Sequence, residues 1–319
     1  ISEPHNLFGP ASRAYINLAA VIDNLGEVRL ARDYQKRAIQ LGNKAGGVSD
    51  EMLIQQSIAR ASLWLAEFDD SQTLIDKMRQ DSRQRDAYLD ENTLNLLFLE
   101  GTLARMKGDF SMSMEIFTDL IDRSRQVHDL ERTLQGNRAL AEVIAEPHFL
   151  EDTHADRANL DIALSMLGDA IRAGKENGLG QDIATQCLLS NLNALINNTA
   201  GAEKALAVAN AIYQNRPVMQ NRVLIILAQA RLEAARDNFA RALDLLNEGV
   251  DLLEKMEGRW LRARVWLEMG NLYLRRNEPE DVDQAQTLFR ESLAEFKDMG
   301  VDYYPGLTID KLREVKHVS

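Results

Sequence analysis

The chain has 319 residues, 45% of them apolar and 27% charged, with only six prolines, which excludes a disordered segment and describes a folded, water-facing protein. A net charge of −12 and an acidic isoelectric point near 5.0 argue against generic nucleic-acid binding, because such a surface repels phosphate. A single cysteine, Cys187, excludes an intrachain disulfide, and no apolar run approaches the ~18 residues of a membrane helix.

Leu, Ala, Arg and Glu, all good helix formers, are abundant, so the composition predicts an all-helical chain. The opening segment ISEPHNLFGP lacks a basic stretch followed by a long apolar one, so it does not read as a signal peptide. It also lacks an initiator Met, and the sequence reads as a fragment or processed product with domains upstream. From there the chain repeats itself. Tyr15, Leu18, Ala19 and Ile22 precede a turn at Leu25-Gly26-Glu27, followed by Ala31 and Ala38. Ala59 and Ser71, with Ile75 and Met78, form a fainter second copy. Gly101 and Ala104 lead through Gly108-Asp109 to Ser113, Phe117 and Leu120.

The rhythm then stretches. Residues 145–160, AEPHFLEDTHADRANL, hold Pro147 and many acidic side chains, and predict an insertion loop ahead of Ala163, Leu167 and Ala170. Asn193 with Ala205, Ala209 and Ile212 makes the fifth copy, and Ala230 with Asp237-Asn238, Ala242, Leu246 and Gly249 the sixth. The seventh is the clearest. Trp266, Met269, Gly270 and Tyr273 lie on one helix, and Ala285, Phe289 and Ser292 on the next. Large and small residues in this alternation suit two closely crossed helices, with Gly270 and Ala285 at the contact. The small residues of the second helices are 31, 71, 113, 163, 205, 242 and 285, a period near 40. Thr308 to Val315 predicts a short closing helix.

This pattern resembles the tetratricopeptide repeat, with Trp266, Met269, Gly270, Tyr273, Ala285 and Phe289 on its signature positions. The resemblance covers about residues 11–298, and its long period is similar to arrays in kinesin light chains and in bacterial signalling ATPases and transcription activators. It implies an all-α, right-handed superhelix, or α-solenoid, of about seven antiparallel helix pairs. The units are approximately 11–48, 50–82, 92–128, 133–177, 182–216, 221–257 and 259–298, with a capping segment at 299–319. All belong to one repeat domain.

Catalytic motifs are absent: there is no Gly-rich phosphate loop, no nucleophile elbow and no zinc-protease helix motif. AGGVSD at 45–50 reads as a linker, and Cys187 as a buried, inert thiol. Glu146, His148, Glu151, Asp152 and His154 could in principle hold a divalent ion, but a solvated acidic loop explains them without one. No catalytic residue, metal or cofactor is therefore assigned.

Binding remains. The first helices of stacked pairs line the concave wall of such an array, and residues one turn from each small position point into it. Those are Arg13, Asn17, Gln56, Arg60, Asn95, Arg105, Asn191, Arg264, Glu268, Asn271 and Arg275. Carboxamides both donate to and accept from the main chain of an extended peptide, and Arg adds affinity for a carboxylate. Solvated helix faces are the plainer explanation for any one of them. Ile16 and Ala20 occupy places where tetratricopeptide carboxylate clamps carry polar residues, so that clamp is not supported. The sequence thus predicts a non-catalytic, cytoplasmic scaffold for a protein or peptide, with neither membrane nor nucleic acid as partner. By resemblance it is the C-terminal sensor or docking region of a larger bacterial signalling or regulatory protein. Two alternatives stay open: a peptide sensor whose superhelix changes shape on binding, and a self-associating module that regulates an upstream enzyme domain.

Overall fold

A computed structural model describes residues 7–47, 51–84, 90–150 and 157–318, and among them every regular element is an α-helix. The first six are α1 (Phe8–Asn24), α2 (Val28–Lys44), α3 (Glu51–Trp64), α4 (Phe68–Gln84), α5 (Glu91–Lys107) and α6 (Phe110–Gln126). The middle of the chain forms α7 (Leu130–Leu150), α8 (Arg157–Glu176), α9 (Ile183–Leu195) and α10 (Thr199–Asn215). The last five are α11 (Met219–Ala235), α12 (Phe239–Lys255), α13 (Arg259–Arg276), α14 (Asp281–Asp298) and α15 (Tyr303–Val318).

Odd and even helices differ in how their apolar residues are spread. On α11, Val223, Ile225, Ile226, Leu227, Ala228, Ala230, Leu232 and Ala234 are buried on nearly every side, which marks an inner-layer helix. On α12, Ala242, Leu245, Leu246, Gly249 and Leu253 form one stripe and the opposite face is solvated. Burying a leucine such as Leu246 or Leu253 completely contributes about 1.5–3 kcal/mol. The array is therefore two-layered, with odd helices sandwiched between even ones and whatever lies within.

One turn type recurs between helices. In it a residue with left-handed backbone is followed by an N–H that bonds five residues back, closing the helix C-terminus. Gly26 (φ 90°) and Gly108 (φ 89°) supply the left-handed residue in two turns, with Glu27 N–H to Ile22 O at 3.2 Å and Asp109 N–H to Ala104 O at 2.9 Å. Gly46, Gly178 and Gly300 do the same, while Ala66, His128, Asn197, Asp237 and Glu257 take the conformation in others, so half of these turns accept the strain without glycine. Asp90, Asp109, Asp182 and Asn198 then cap the following helices through their side-chain oxygens.

The small positions bring paired helices into contact. A Cβ on Gly270 would stand 2.3 Å from the Phe289 ring, and one on Gly101 2.7 Å from Phe117. Where serine replaces alanine, its hydroxyl bonds across the crossing. Ser71 Oγ donates to Ala59 O at 3.2 Å, Ser113 Oγ to Gly101 O at 2.8 Å, and Ser292 Oγ to Ala263 O at 2.8 Å. In the fifth unit the crossing falls three residues earlier than expected, with Ser190 Oγ bonded to Ala202 O at 3.0 Å. Asn193 instead holds the turn, receiving a 2.7 Å bond from Asn198 Nδ2.

The expected insertion loop at 145–160 is largely helical. Ala145 to Leu150 continue α7 and Arg157 to Leu160 open α8, while 151–156, with Glu151, Asp152 and His154, lie outside the described residues. Pro147 forfeits a ladder hydrogen bond, but Ala145, Glu146 and Leu150 are all fully buried, and that packing holds the turn helical.

The array coils back on itself. One core unites Leu63, Phe68, Ile75, Leu99 and Leu103 of α3–α5 with Trp260, Leu267, Phe289, Phe296 and Tyr304 of α13–α15. Helix α15, expected only to close the last pair, also reaches the α5–α6 turn: Tyr303 packs edge-on against Phe110 at 4.8 Å, and Tyr304 stacks on Phe296 at 4.7 Å. Asn271 Nδ2 donates to Leu150 O at 3.0 Å, and Gln220 Nε2 to Asp23 O at 3.0 Å. Early and late units thus meet across the concave side, which is partly enclosed.

Candidate functional site

Closure leaves a cavity of about 620 Å³ along the axis, walled by residues from α1, α2, α3, α5, α7, α9, α11 and α13. Its surface is mostly apolar. Trp64, Phe98, Phe149 and Trp260 supply aromatic rings, with Leu99, Leu188, Leu224 and Leu227 between them. The indoles are fixed by hydrogen bonds that cross the closure, Trp64 Nε1 to Met256 O at 3.0 Å and Trp260 Nε1 to Met106 O at 3.0 Å.

A charged network lies against one wall. Glu146, fully buried, meets Arg264 Nε at 2.7 Å and Arg105 NH1 at 3.3 Å, and Arg105 also meets Glu142 at 3.1 Å. Tyr304 OH donates to Arg105 O at 3.3 Å, and Arg231 grips Glu268 with two bonds of 2.8 Å. Burial pushes the Tyr304 phenol well above its ordinary value. Burial would also raise Glu142, yet Arg105 and its neighbouring cations hold this carboxyl below the usual range. Arg105 is disfavoured as a cation by burial, but Glu142 and Glu146 outweigh that and raise it. Glu142 and Arg105 thus stay ionised while the Tyr304 phenol stays neutral, and the network braces α5, α7, α11 and α13 around the cavity. Cys187 lines the wall too; burial pushes its thiol up to about 12, so it is protonated and unreactive at neutral pH.

Three carboxamides behave differently. Asn191 of α9, only 8% exposed, lines the cavity with an Oδ1 that receives no hydrogen bond from the described residues. Gln35 Oε1 of α2 and Gln220 Oε1 of α11 are in the same condition. Buried acceptors without donors cost free energy, about 1–3 kcal/mol each, unless something else supplies the donor.

Of the residues expected to face a groove, Arg60, Arg105, Asn191 and Arg264 line the cavity together. The others lie elsewhere. Arg13 and Asn17 are exposed on α1 outside the lining, and Asn95 is half-buried on α5 beyond it. Gln56 ties α3 to α5 through Asn92 O at 3.2 Å, and Glu268 is occupied by Arg231. Asn271 tethers α13 to α7, and Arg275 is exposed with its guanidinium 5.2 Å from the Phe239 ring. Counting one turn to either side of each small residue chose positions on both flanks of the inner helices, whereas one flank is taken up by the neighbouring pair. Sequence reasoning passed over Trp64, Trp260, Phe149, Arg138, Glu142, Arg231, Gln35 and Gln220. Two of the chain's three tryptophans are among them, a signal that was open to view.

No protein-family profile matches the chain, and no curated protein sequence does. Its structure is similar to that of a Rap protein complexed with Competence and Sporulation Factor, with a TM-score of 0.57 at 11% identity, over 95% of this chain and 74% of that one. A tetratricopeptide repeat protein from Parabacteroides merdae aligns with a TM-score of 0.45 at 11% identity, over 94% of this chain and 100% of that one. The repeated crossings, the common turn and the similarity to the Rap protein agree: by fold, the chain is a tetratricopeptide-like helical repeat array.

Proposed function

We propose that the chain binds a short peptide inside the axial cavity. The three cavity-lining carboxamide oxygens without donors carry this reading, because the main chain of a peptide presents N–H groups at regular intervals. A cavity of about 620 Å³ falls within the usual ligand-site range of about 300–1,000 Å³, which suits a few residues rather than a folded partner. The similar Rap protein, complexed with Competence and Sporulation Factor, supports a binding role for such an array. On this reading the chain is a non-catalytic, cytoplasmic sensor or docking region of a larger bacterial signalling or regulatory protein. Native mass spectrometry of the purified chain tests it. A co-purified or added peptide retained by the wild type and lost in Asn191→Ala supports the reading; equal retention by the variant sinks it.

A second reading, self-association through the first unit, is favoured by α1. Leu7 and Leu25 are 70% and 64% exposed, and Leu18 and Val21 stand on the same helix. Sedimentation of the chain across a concentration series decides it, with an unchanged monomer mass as the contrary result.

A further inference from the structure

The cavity walls carry charge as well as carboxamides, and the charges are not all paired. Five guanidinium groups line it: Arg60, Arg105, Arg138, Arg231 and Arg264. Arg105, Arg231 and Arg264 are held by Glu142, Glu146 and Glu268 at 2.7–3.3 Å. Arg60 and Arg138 have no ion pair among the described residues. Arg60 makes one long contact, to Ser57 Oγ at 3.4 Å, and Arg138 lies 6.0 Å from the Phe98 ring. Asp23 and Glu142 are the carboxylates of the lining itself. Asp23 takes its hydrogen bonds from Gln220 and also feels the charge of Arg60, and Glu142 takes its ion pair from Arg105 and feels the charge of Arg138, with neither cation close enough for an ion pair. Arg60, which is exposed, and the half-buried Arg138 thus border an apolar, semi-enclosed space in a protein whose overall charge is −12.

Resting on the peptide reading above, we infer that the ligand is an anionic short peptide, whose carboxylate is taken by Arg60 and Arg138 while its N–H groups donate to Asn191, Gln35 and Gln220. A planar guanidinium matches a carboxylate with two parallel bonds, and the low-dielectric walls of Trp64, Phe98 and Trp260 strengthen the attraction relative to open water. The apolar body of the peptide lies against those same rings. A neutral peptide satisfies the carboxamides but leaves both cations without a direct anionic partner. A cationic one meets them with like charge.

The carboxylate can belong to a C-terminus or to an acidic side chain, and the probes separate the two. Three pools of tetrapeptides are offered to the full chain and retention is read by native mass spectrometry: free C-terminus without acidic residues, amidated without acidic residues, and amidated with one Glu. The expected result is at least tenfold higher retention of one or both acidic pools over the neutral pool. That preference disappears in Arg60→Gln/Arg138→Gln, which is expected to stay folded with at most a small loss in its thermal melt, because neither side chain holds an ion pair. Equal retention of all three pools overturns the anionic ligand and leaves the peptide site standing. Retention of none overturns both. A preference that survives in the double variant overturns the assignment to Arg60 and Arg138.

Discussion

The indole Nε1 of Trp64 donates to the carbonyl oxygen of Met256 at 3.0 Å, joining residues 192 positions apart. The bond seals the second unit against the turn before the seventh, and the same ring packs where a side chain on Gly258 would stand, 3.2 Å from its Cβ position. Replacing Trp64 by Phe keeps the apolar wall but leaves the Met256 carbonyl without this donor. The expected cost is about 1–2 kcal/mol, with an increased radius of gyration in solution scattering as the closure loosens. An unchanged radius together with an unchanged melt would show that the indole bond does not contribute to closure.

Gly270→Ala is expected to destabilise by about 1–3 kcal/mol, since its new Cβ enters the Phe289 ring at 2.3 Å. Phe289 is fully buried in the shared core and has little room to retreat. Gly168→Ala, on α8, meets nothing within 4 Å and is expected to leave the melt unchanged or raise it. Denaturant unfolding of the two variants in parallel gives the comparison.

The contrast shows which features were legible in the sequence. Gly270 and Phe289 lie on one local pattern, a helix pair within about 25 residues, so their contact is written in spacing alone. The partners of Trp64 and Trp260 lie 192 and 154 positions away, and no period of 40 announces them. Most of the cavity lining comes from odd-numbered helices, whereas closure of the array into a cavity depends on the small rotation between successive units summed over the array. Glu146 illustrates the cost of missing that. As a loop carboxylate it looked solvated; with α5, α7 and α13 brought together it becomes the buried anion between Arg105 and Arg264.

Asn191 and Asn271 look equivalent in sequence but are expected to separate in experiment. Asn271→Ala removes the bond to Leu150 O that ties α13 to α7, and costs about 1 kcal/mol of stability. Asn191→Ala removes an oxygen with no donor, so the melt is expected to hold or rise while peptide retention falls. Thermal melts and binding measured on the same preparations distinguish the two. A destabilised Asn191→Ala would contradict the account of its carboxamide.

Two carboxylates predict opposite pH dependences. Asp23 is raised, chiefly by burial, against the pull of Arg60 and the bond from Gln220. Its favourable contribution is present below the unfolded-state carboxylate range and is lost as pH rises through the folded pKa. Asp23→Asn is therefore expected to be more stable than wild type at neutral pH, with the gap closing near pH ~3. Burial also works against Glu67, but hydrogen bonds from Arg32 and Arg29 hold it below its usual value. Its contribution is present above the unfolded-state range and lost as pH falls through the folded pKa. Glu67→Gln leaves the buried Arg32 without its carboxylate and is expected to cost about 2 kcal/mol at pH 7, less in acid. Chemical denaturation across pH reads both slopes; parallel slopes for the two variants would contradict these assignments.

Closure changes how the array comes apart. In a linear stack each unit touches only its neighbours, so unfolding begins at an end and spreads unit by unit. Here the first units are pinned to the last by Trp64, Trp260, Gln220 and the core shared with α15. Fraying at one terminus removes partners from the other, and the chain gains the cooperativity of a globular domain from parts that individually resemble links of a chain. Its slowest amide protons are then expected on inner helices at both ends of the sequence, exchanging together, rather than in the central units alone.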